Sequence, residues 1–172
     1  MKDNNSIEGM LSEVSHLIKG NRILDVGTGF GIVVNTLMNR PDMKIYTVDP
    51  EAWSFDYLNS THRDHIKSGH LNLVRSRIED LDLGKEPFDT SIAIASLHHL
   101  KDPVAGIKKM EDLTRGNVIV TDWNESSAGI HNPHSSDDLG EKERSLKKYA
   151  NESGYSISEH KYWYVLHKKI EK

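Results

Sequence analysis

Two groups of residues in this sequence could do chemistry. A glycine-rich turn, Gly27-Thr28-Gly29-Phe30-Gly31, follows Asp25 and lies between an apolar run and a helical pattern. Glycine allows a tight turn and lets a ligand approach backbone amides closely. At the end of a strand in a doubly wound sheet, such a turn is where a nucleotide binds. The second group is the pair His98-His99, which follows another apolar run. An imidazole there could act as a base near neutral pH.

The spacing of the glycines distinguishes between cofactors. A dinucleotide fingerprint has glycines at its first, third and sixth positions. Counted from Gly27, the glycines here occupy the first, third and fifth positions, and the sixth is Ile32. A nicotinamide-dependent oxidoreductase is therefore the disfavoured alternative, and a titration with both cofactors would separate the two classes.

The elements that must position these groups follow an alternating pattern. Short apolar runs alternate with helical spacing, which predicts an α/β fold. Strands are predicted over 22–26, 44–48, 71–75, 90–95 and 117–121, with two more near Ile157 and over 163–168. Helices are predicted within residues 1–20, from Ile32 to Met38, and over 54–67, 103–113 and about 136–153. Ser136, Asp137 or Asp138 is expected to cap the last of these helices.

Composition limits the class of protein. The 172 residues fit one domain over 1–172. The net charge of -4 gives no general attraction to nucleic acid, so nucleic acid is not expected as a partner. The absence of cysteine excludes disulfides, thiolate metal sites and cysteine nucleophiles. No run of 18 apolar residues occurs and the start is polar, so we expect a cytoplasmic protein with no membrane partner.

The pattern Asp25-x-Gly27-x-Gly29-x-Gly31 resembles the first motif of class I S-adenosylmethionine-dependent methyltransferases. The resemblance extends from about Arg22 to the C-terminus. It implies a Rossmann-like, mostly parallel seven-stranded sheet with helices on both faces and an antiparallel last strand. It also implies S-adenosyl-L-methionine as the cofactor. In that family the backbone around Gly27 to Gly29 packs against the methionine part, and the acid matching Asp25 orients that end.

The same resemblance implies further cofactor contacts. Asp49 matches the acid that accepts hydrogen bonds from both ribose hydroxyls, and Arg77-Ile78-Glu79 begins the adenine-binding segment. Arg77 stands where the family has an acid, and a guanidinium has no acceptor. The amide of Ile78 could still serve adenine, and Glu79 could replace the missing acid. The expected cofactor-binding residues are Asp25, Gly27, Thr28, Gly29, Gly31, Asp49, Pro50, Ile78, Glu79 and Leu97.

The segment from Ser96 to Pro103 resembles the exit of the fourth strand in the type 11, small-molecule branch of this family. His98 and His99 are the candidate catalytic residues. We expect His99 to face the acceptor and His98 to act mainly through stability; the alternative for each is a structural histidine. Asp122 and Trp123 leave the fifth strand at the same edge and are candidate substrate-binding residues. Trp123 could instead pack against the following loop.

That loop, residues 124–138, is polar and contains Gly and Pro, so it is a candidate lid with few apolar anchors. His131 and His134, with Asp137 and Asp138 nearby, could hold a metal ion. No further ligand is defined by the sequence. A solvated polar loop is therefore the preferred interpretation, and no metal site is expected.

These observations predict methyl transfer from S-adenosylmethionine to a small-molecule acceptor. No Asn-Pro-Pro-Tyr or Asp-Pro-Pro-Tyr follows the fourth strand, so nucleobase and glutamine nitrogens are not expected as acceptors. The alternative from another class is a non-catalytic S-adenosylmethionine-binding or regulatory subunit of a larger methyltransferase. Little sequence remains for a substrate domain, so the acceptor pocket must come from the N-terminal helix, from the loop over residues 124–138, or from a second copy in a homo-oligomer.

Overall fold

The computed structural model of the protein describes residues 5–51 and 53–171. Its seven strands are β1 (Arg22–Val26), β2 (Lys44–Val48), β3 (Leu71–Val74), β4 (Phe88–Ile94), β5 (Thr114–Trp123), β6 (Ser156–Glu159) and β7 (Trp163–Lys169). They form one sheet in the order β3-β2-β1-β4-β5-β7-β6. The first five pair in parallel, and β7 runs antiparallel to both neighbours. This confirms the predicted sheet.

Six helices cover the two faces of the sheet: α1 (Ile7–Val14), α2 (Ile32–Leu37), α3 (Trp53–Thr61), α4 (Arg63–Lys67), α5 (Pro103–Leu113) and α6 (Ser136–Glu152). Met10 and Leu37 belong to one buried apolar cluster, and Ile107 and Leu146 belong to a second. Because clusters flank both faces, every residue of β1 is buried. No helix in the described part of the chain has the length and apolarity needed to cross a bilayer.

The last helix begins where its cap places it. The Ser135 hydroxyl accepts a hydrogen bond from the Asp138 amide, and α6 starts at Ser136. The cap therefore lies one residue before the three expected positions. As a consequence, the loop after β5 ends at Ser135, which is three residues shorter than predicted.

The predicted helix over 54–67 is divided in two. His62 has a non-helical backbone and separates α3 from α4. The preceding Ser60 and Thr61 hydroxyls both donate to the Tyr57 carbonyl. Such side-chain bonds compete with helix continuation, and Asn, Ser and Thr are weak helix formers. The apolar spacing of this segment does not reveal that break.

At the amino edge of the sheet, Asp89 holds three segments together. Its Oδ2 atom accepts from the Asn21 and Arg22 amides at 3.0 Å each. Its Oδ1 atom accepts two bonds from the Arg115 guanidinium, at 2.8 and 2.6 Å. Burial would raise the pKa of Asp89, but the bonds from Arg22 and Arg115 outweigh it and lower that pKa. The carboxylate thus ties β1 to β4 and β5.

Asp89→Asn should lower the free energy of unfolding by about 1.5–3 kcal/mol, because it removes charge-assisted hydrogen bonds. Urea denaturation at pH 7 measures this. The matched control Asp42→Asn changes an exposed acid with a φ of 62°, a conformation that Asn also tolerates, and should stay within about 0.5 kcal/mol of the parent. Equal unfolding free energies for the two variants would contradict the assigned role of Asp89.

Candidate active site

The carboxyl ends of β1, β2 and β4 open into a cavity of about 690 Å³. Proteins bind small molecules and cofactors in cavities of this size. Of the residues expected to contact a cofactor, seven line this cavity: Gly27, Thr28, Gly29, Asp49, Pro50, Ile78 and Leu97. The sequence motifs on three separate strands therefore meet at one site.

The glycine turn presents bare backbone to this cavity. Gly29 has a φ of 49°, and a Cβ atom added there would meet no atom within 4 Å. A Cβ atom on Gly27 would instead collide with the Ser96 side chain, which donates to the Val26 carbonyl at 2.7 Å. Gly29 thus leaves room for a ligand to approach the backbone. Gly27 leaves room for Ser96, which follows β4.

Gly31 has a different role from the one expected. It does not line the cavity; it precedes α2 with a φ of 79°. A Cβ atom there would lie 2.9 Å from Leu58 Cδ2. The third glycine is therefore required by backbone conformation and helix packing, and its expected cofactor contact stays a prediction.

Asp49 lies at the end of β2 with its carboxylate beside the glycine turn. One oxygen accepts from the Gly29 amide at 3.1 Å and the other from the Glu51 amide at 2.9 Å. These bonds fix the carboxylate at the cavity wall. Each carboxylate oxygen can accept a second hydrogen bond, so Asp49 can take two further donors.

Asp25 lies beneath the turn and does not line the cavity. The Thr47 hydroxyl donates to Asp25 Oδ2 at 2.7 Å and lies 2.7 Å from the Thr28 hydroxyl. Burial raises the pKa of Asp25 to about 7, against the lowering effect of the Thr47 bond. Its other oxygen is buried without a hydrogen-bond partner. Asp25 thus acts on the turn through Thr47 and Thr28.

The segment expected to bind adenine divides between two surfaces. Ile78 and Arg77 line the cavity, whereas Glu79 lies in a separate groove with Lys101 and Lys142. The guanidinium of Arg77 is 3.6 Å from the Glu79 carboxylate. Glu79 is not among the residues that line the cavity, and its expected role in place of the missing acid stays a prediction.

The chain leaves β4 through a strained residue. Ala95 has a φ of 50°, a left-handed conformation that is uncommon for residues other than glycine. Its amide donates to the Thr121 carbonyl at 2.8 Å, which holds it against β5. The chain then enters a 3₁₀ turn over Leu97–His99. This turn directs His99 into the cavity wall and buries His98 beneath it.

Asp122 is fully buried and orients His98. It accepts from the His98 amide at 2.8 Å, lies 2.6 Å from His98 Nδ1, and accepts from the Trp123 amide at 2.9 Å. Burial would lower the pKa of His98, but the charge of Asp122 reverses that effect and raises it. Because its oxygens are engaged by these bonds and it does not line the cavity, Asp122 positions His98; the substrate contact expected of Asp122 stays a prediction.

His99 has the opposite electrostatic environment. Partial burial lowers the pKa of its imidazole, and the neighbouring His98 and His134 lower it further. A lowered pKa keeps the ring neutral, with one nitrogen able to accept a proton or bind a ligand.

The loop after β5 has polar anchors that the sequence did not reveal. Asn124, Ser127 and Asn132 are buried, and Asn124 Nδ2 donates to the His160 and Lys161 carbonyls. The sequence predicted few apolar anchors for this loop; the structure adds polar ones, because these side chains hold the loop by hydrogen bonds. Trp123 stacks on His131 at 5.5 Å and does not line the cavity, in agreement with loop packing.

Three apolar residues at the cavity mouth were missed at the level of sequence. Phe30 and Trp53 are 70% and 56% exposed and meet edge-on at 5.1 Å, and Ile7 lines the same cavity. We call these three residues the apolar rim. For Phe30, one feature of the sequence indicated a place at the cavity, which is its position inside the glycine turn. Exposed aromatic side chains beside a cavity indicate a surface for an apolar ligand.

The fold and the glycine turn define the class I methyltransferase architecture. A family model for methyltransferase domains matches residues 23–117, more than half of the chain, and the chain belongs to this family. A solved structure of an S-adenosylmethionine-dependent methyltransferase from Aquifex aeolicus superimposes with a TM-score of 0.70 at 18% identity, over 96% of this chain and 89% of that one. This likeness shows the shared fold. Together these findings confirm the predicted class of enzyme and its cofactor, S-adenosylmethionine.

Two curated relatives each match part of the chain. An O-methyltransferase of Aspergillus nomiae is 29% identical over 85 residues, which cover 49% of this chain and 38% of the relative. A tRNA U34 carboxymethyltransferase of Pseudomonas savastanoi is 29% identical over 106 residues, covering 60% of this chain and 32% of the relative. The chain spans about a third of the length of these relatives.

The residues present fit S-adenosylmethionine. The open space over Gly29 leaves room for a ligand against the backbone, and Asp49 retains acceptor capacity for two hydroxyls. Ile78 and Leu97 supply apolar walls for a flat base. Glu79 does not line the cavity, whereas the acidic residue Glu51 does.

The raised pKa of Asp25 predicts a pH dependence of stability. Between about pH 4 and 7 the folded protein keeps a proton on Asp25 that the unfolded chain has lost, so this group favours unfolding as pH rises. Asp25→Asn removes the effect. The stability of the variant relative to the parent should rise by up to about 1.4 kcal/mol per pH unit in that window. Urea denaturation of both proteins at pH 5, 6 and 7 measures it, and a difference independent of pH would refute the assignment.

Proposed function

We propose that the chain transfers a methyl group from S-adenosylmethionine to a small-molecule acceptor. The observation that carries this proposal is one continuous cavity lined by Asp49, by His99 and by the apolar rim. The cofactor supplies a methyl group on an already activated sulfonium. The protein must therefore hold the two reactants in line and exclude water.

The cofactor end of the cavity is assigned to three elements. Asp49 accepts hydrogen bonds from the ribose hydroxyls, since a carboxylate can accept several donors at once. The backbone at Gly27 and Gly29 lies against the methionine part, because no side chain intervenes. Ile78 and Leu97 pack against the adenine.

The acceptor end is assigned to His99 and the apolar rim. Phe30 and Trp53 offer apolar surface that an acceptor would cover, which removes water from it and from the reaction centre. His99 contacts the acceptor and can take its proton where the acceptor must lose one. The net charge of -4 offers no general attraction to a polynucleotide, which favours a small molecule.

A transfer assay tests the proposal. The purified chain is incubated with methyl-labelled S-adenosylmethionine and either a metabolite extract or total transfer RNA. We expect label in the small-molecule fraction, and no transfer by Gly29→Val, in which a β-branched side chain fills the ligand space. Label in the RNA would overturn the acceptor class. No transfer to any acceptor, with intact cofactor binding, would favour the non-catalytic subunit.

Asp49→Asn should weaken binding of S-adenosylhomocysteine by about 1.5–3 kcal/mol, the range for hydrogen bonds to a charged group. Calorimetric titration measures this loss. With an analogue that lacks both ribose hydroxyls, parent and variant should bind alike. The control Asp82→Asn alters an exposed acid away from the cavity and should leave affinity unchanged. An equal penalty for both ligands would remove Asp49 from the ribose site.

His99→Ala should lower turnover at saturating acceptor by about 10²-fold, because it removes the imidazole that faces the acceptor. Affinity for S-adenosylhomocysteine should stay within about threefold, or ~0.7 kcal/mol. His131→Ala is the matched control, since that ring packs on Trp123 away from the cavity. Normal turnover of His99→Ala with the acceptor identified above would refute the role of His99.

A further inference from the structure

Three histidine side chains meet beside the cavity, although the sequence separates them. His98 and His99 lie in the turn after β4, and His134 lies near the end of the loop after β5. One ring nitrogen of each lies within 4.8 Å of those of the other two. The ring centroids are 4.0, 5.2 and 5.1 Å apart. We call these three residues the His cluster.

The buried member of the cluster is held with one nitrogen available. Asp122 Oδ1 lies 2.6 Å from His98 Nδ1, and an ionised carboxylate only accepts, so Nδ1 carries the hydrogen. Asn132 Oδ1 accepts from the His134 amide at 2.8 Å, so its amide nitrogen is the atom 3.4 Å from His98 Nε2. An amide nitrogen only donates. The lone pair of the neutral ring is therefore on Nε2, where a bound metal ion would replace the Asn132 amide nitrogen as its partner.

A second member also has a carboxylate behind it. His134 Nδ1 lies 3.5 Å from Asp138 Oδ2, across one turn at the start of α6. Histidines that bind metal ions usually give their other ring nitrogen to a carboxylate or carbonyl, which fixes the tautomer and the ring orientation. His98 with Asp122 has this arrangement, and His134 lies within ion-pair distance of Asp138.

We propose that the His cluster binds one divalent transition-metal ion, with zinc as the reference ion, through three imidazole nitrogens. Zinc–nitrogen bonds of about 2.0–2.1 Å place tetrahedral ligand atoms roughly 3.3 Å apart, so the rings need only a short inward movement. Three histidines with an open fourth position form a known zinc coordination set. Because His99 also lines the cavity, the open position lies on the cavity side.

Such an ion would join the loop to the reaction centre. His134 belongs to the loop, whereas His98 and His99 belong to the turn after β4, so one ion would fix both walls. With the ion bound, the nitrogen of His99 serves as a ligand, and the open coordination position meets an oxygen or nitrogen of the acceptor. Loss of turnover in His99→Ala is expected with or without the ion, so metal binding must be measured directly.

The test uses the full chain, freed of metal with a chelator and titrated with Zn²⁺ alone against a chromophoric competitor. We expect one ion per chain, and Co²⁺ in its place should give the visible absorption of a tetrahedral site. His134→Ala removes a ligand from an external loop and should weaken binding at least about 100-fold. His99→Ala is the second variant, and circular dichroism confirms that both are folded.

Two matched variants control for other histidines. His131→Ala alters a histidine of the same loop that lies outside the cluster. His62→Ala removes one member of a separate histidine pair, His62 and His65, whose Nδ1 atoms are 3.5 Å apart. Both should bind zinc as the parent does. No saturable binding by the parent, undiminished binding by His134→Ala and His99→Ala, or loss in His62→Ala would overturn the proposal. Because S-adenosylhomocysteine binding is measured on the same samples, failure of the metal site stays distinct from failure of the proposed function.

Discussion

The carboxylate of Asp122 is the interaction on which the candidate active site depends. It lies at the end of β5, fully buried, and accepts the amides of His98 and Trp123 while holding the His98 imidazole. The other ring nitrogen of His98, Nε2, lies 3.4 Å from the side-chain nitrogen of Asn132 in the loop after β5. A buried polar group without a partner costs about 1–3 kcal/mol, so these bonds stabilise the turn after β4, the end of β5 and the loop against one another.

This arrangement gives the cavity two kinds of wall. The wall formed by the ends of β1 and β4 is tightly fixed, since Ser96 occupies the space that a side chain at residue 27 would need, and Ala95 is held in a left-handed conformation. The glycine turn and α3 add the exposed rings of Phe30 and Trp53 to the cavity lining. A fixed wall suits a constant cofactor, whereas an exposed apolar rim suits the part of the ligand that differs between family members.

Sequence reasoning predicted the sheet and the cofactor end because both depend on local patterns. Apolar runs alternating with helical spacing define strands, and the motif around Gly27 and Gly29 identifies the strand end that a ligand approaches. The pairing of His98 with Asp122, 24 residues apart, depends on the register of two strands, which spacing does not reveal. The place of Glu79 outside the cavity lining was hidden for a similar reason, since it lies in a 3₁₀ turn that the spacing does not predict. The loop anchors were hidden because polar residues such as Asn132 predict exposure unless their partners are known.

The central claim is that the cavity over the glycine turn accepts an S-adenosyl nucleoside. Calorimetric titration of the purified chain with S-adenosylhomocysteine and, separately, with NAD⁺ tests it most directly. We expect S-adenosylhomocysteine to bind with one site per chain and NAD⁺ to give no measurable heat of binding, because the glycines occupy the first, third and fifth positions. Tighter binding of NAD⁺ than of S-adenosylhomocysteine would contradict the account.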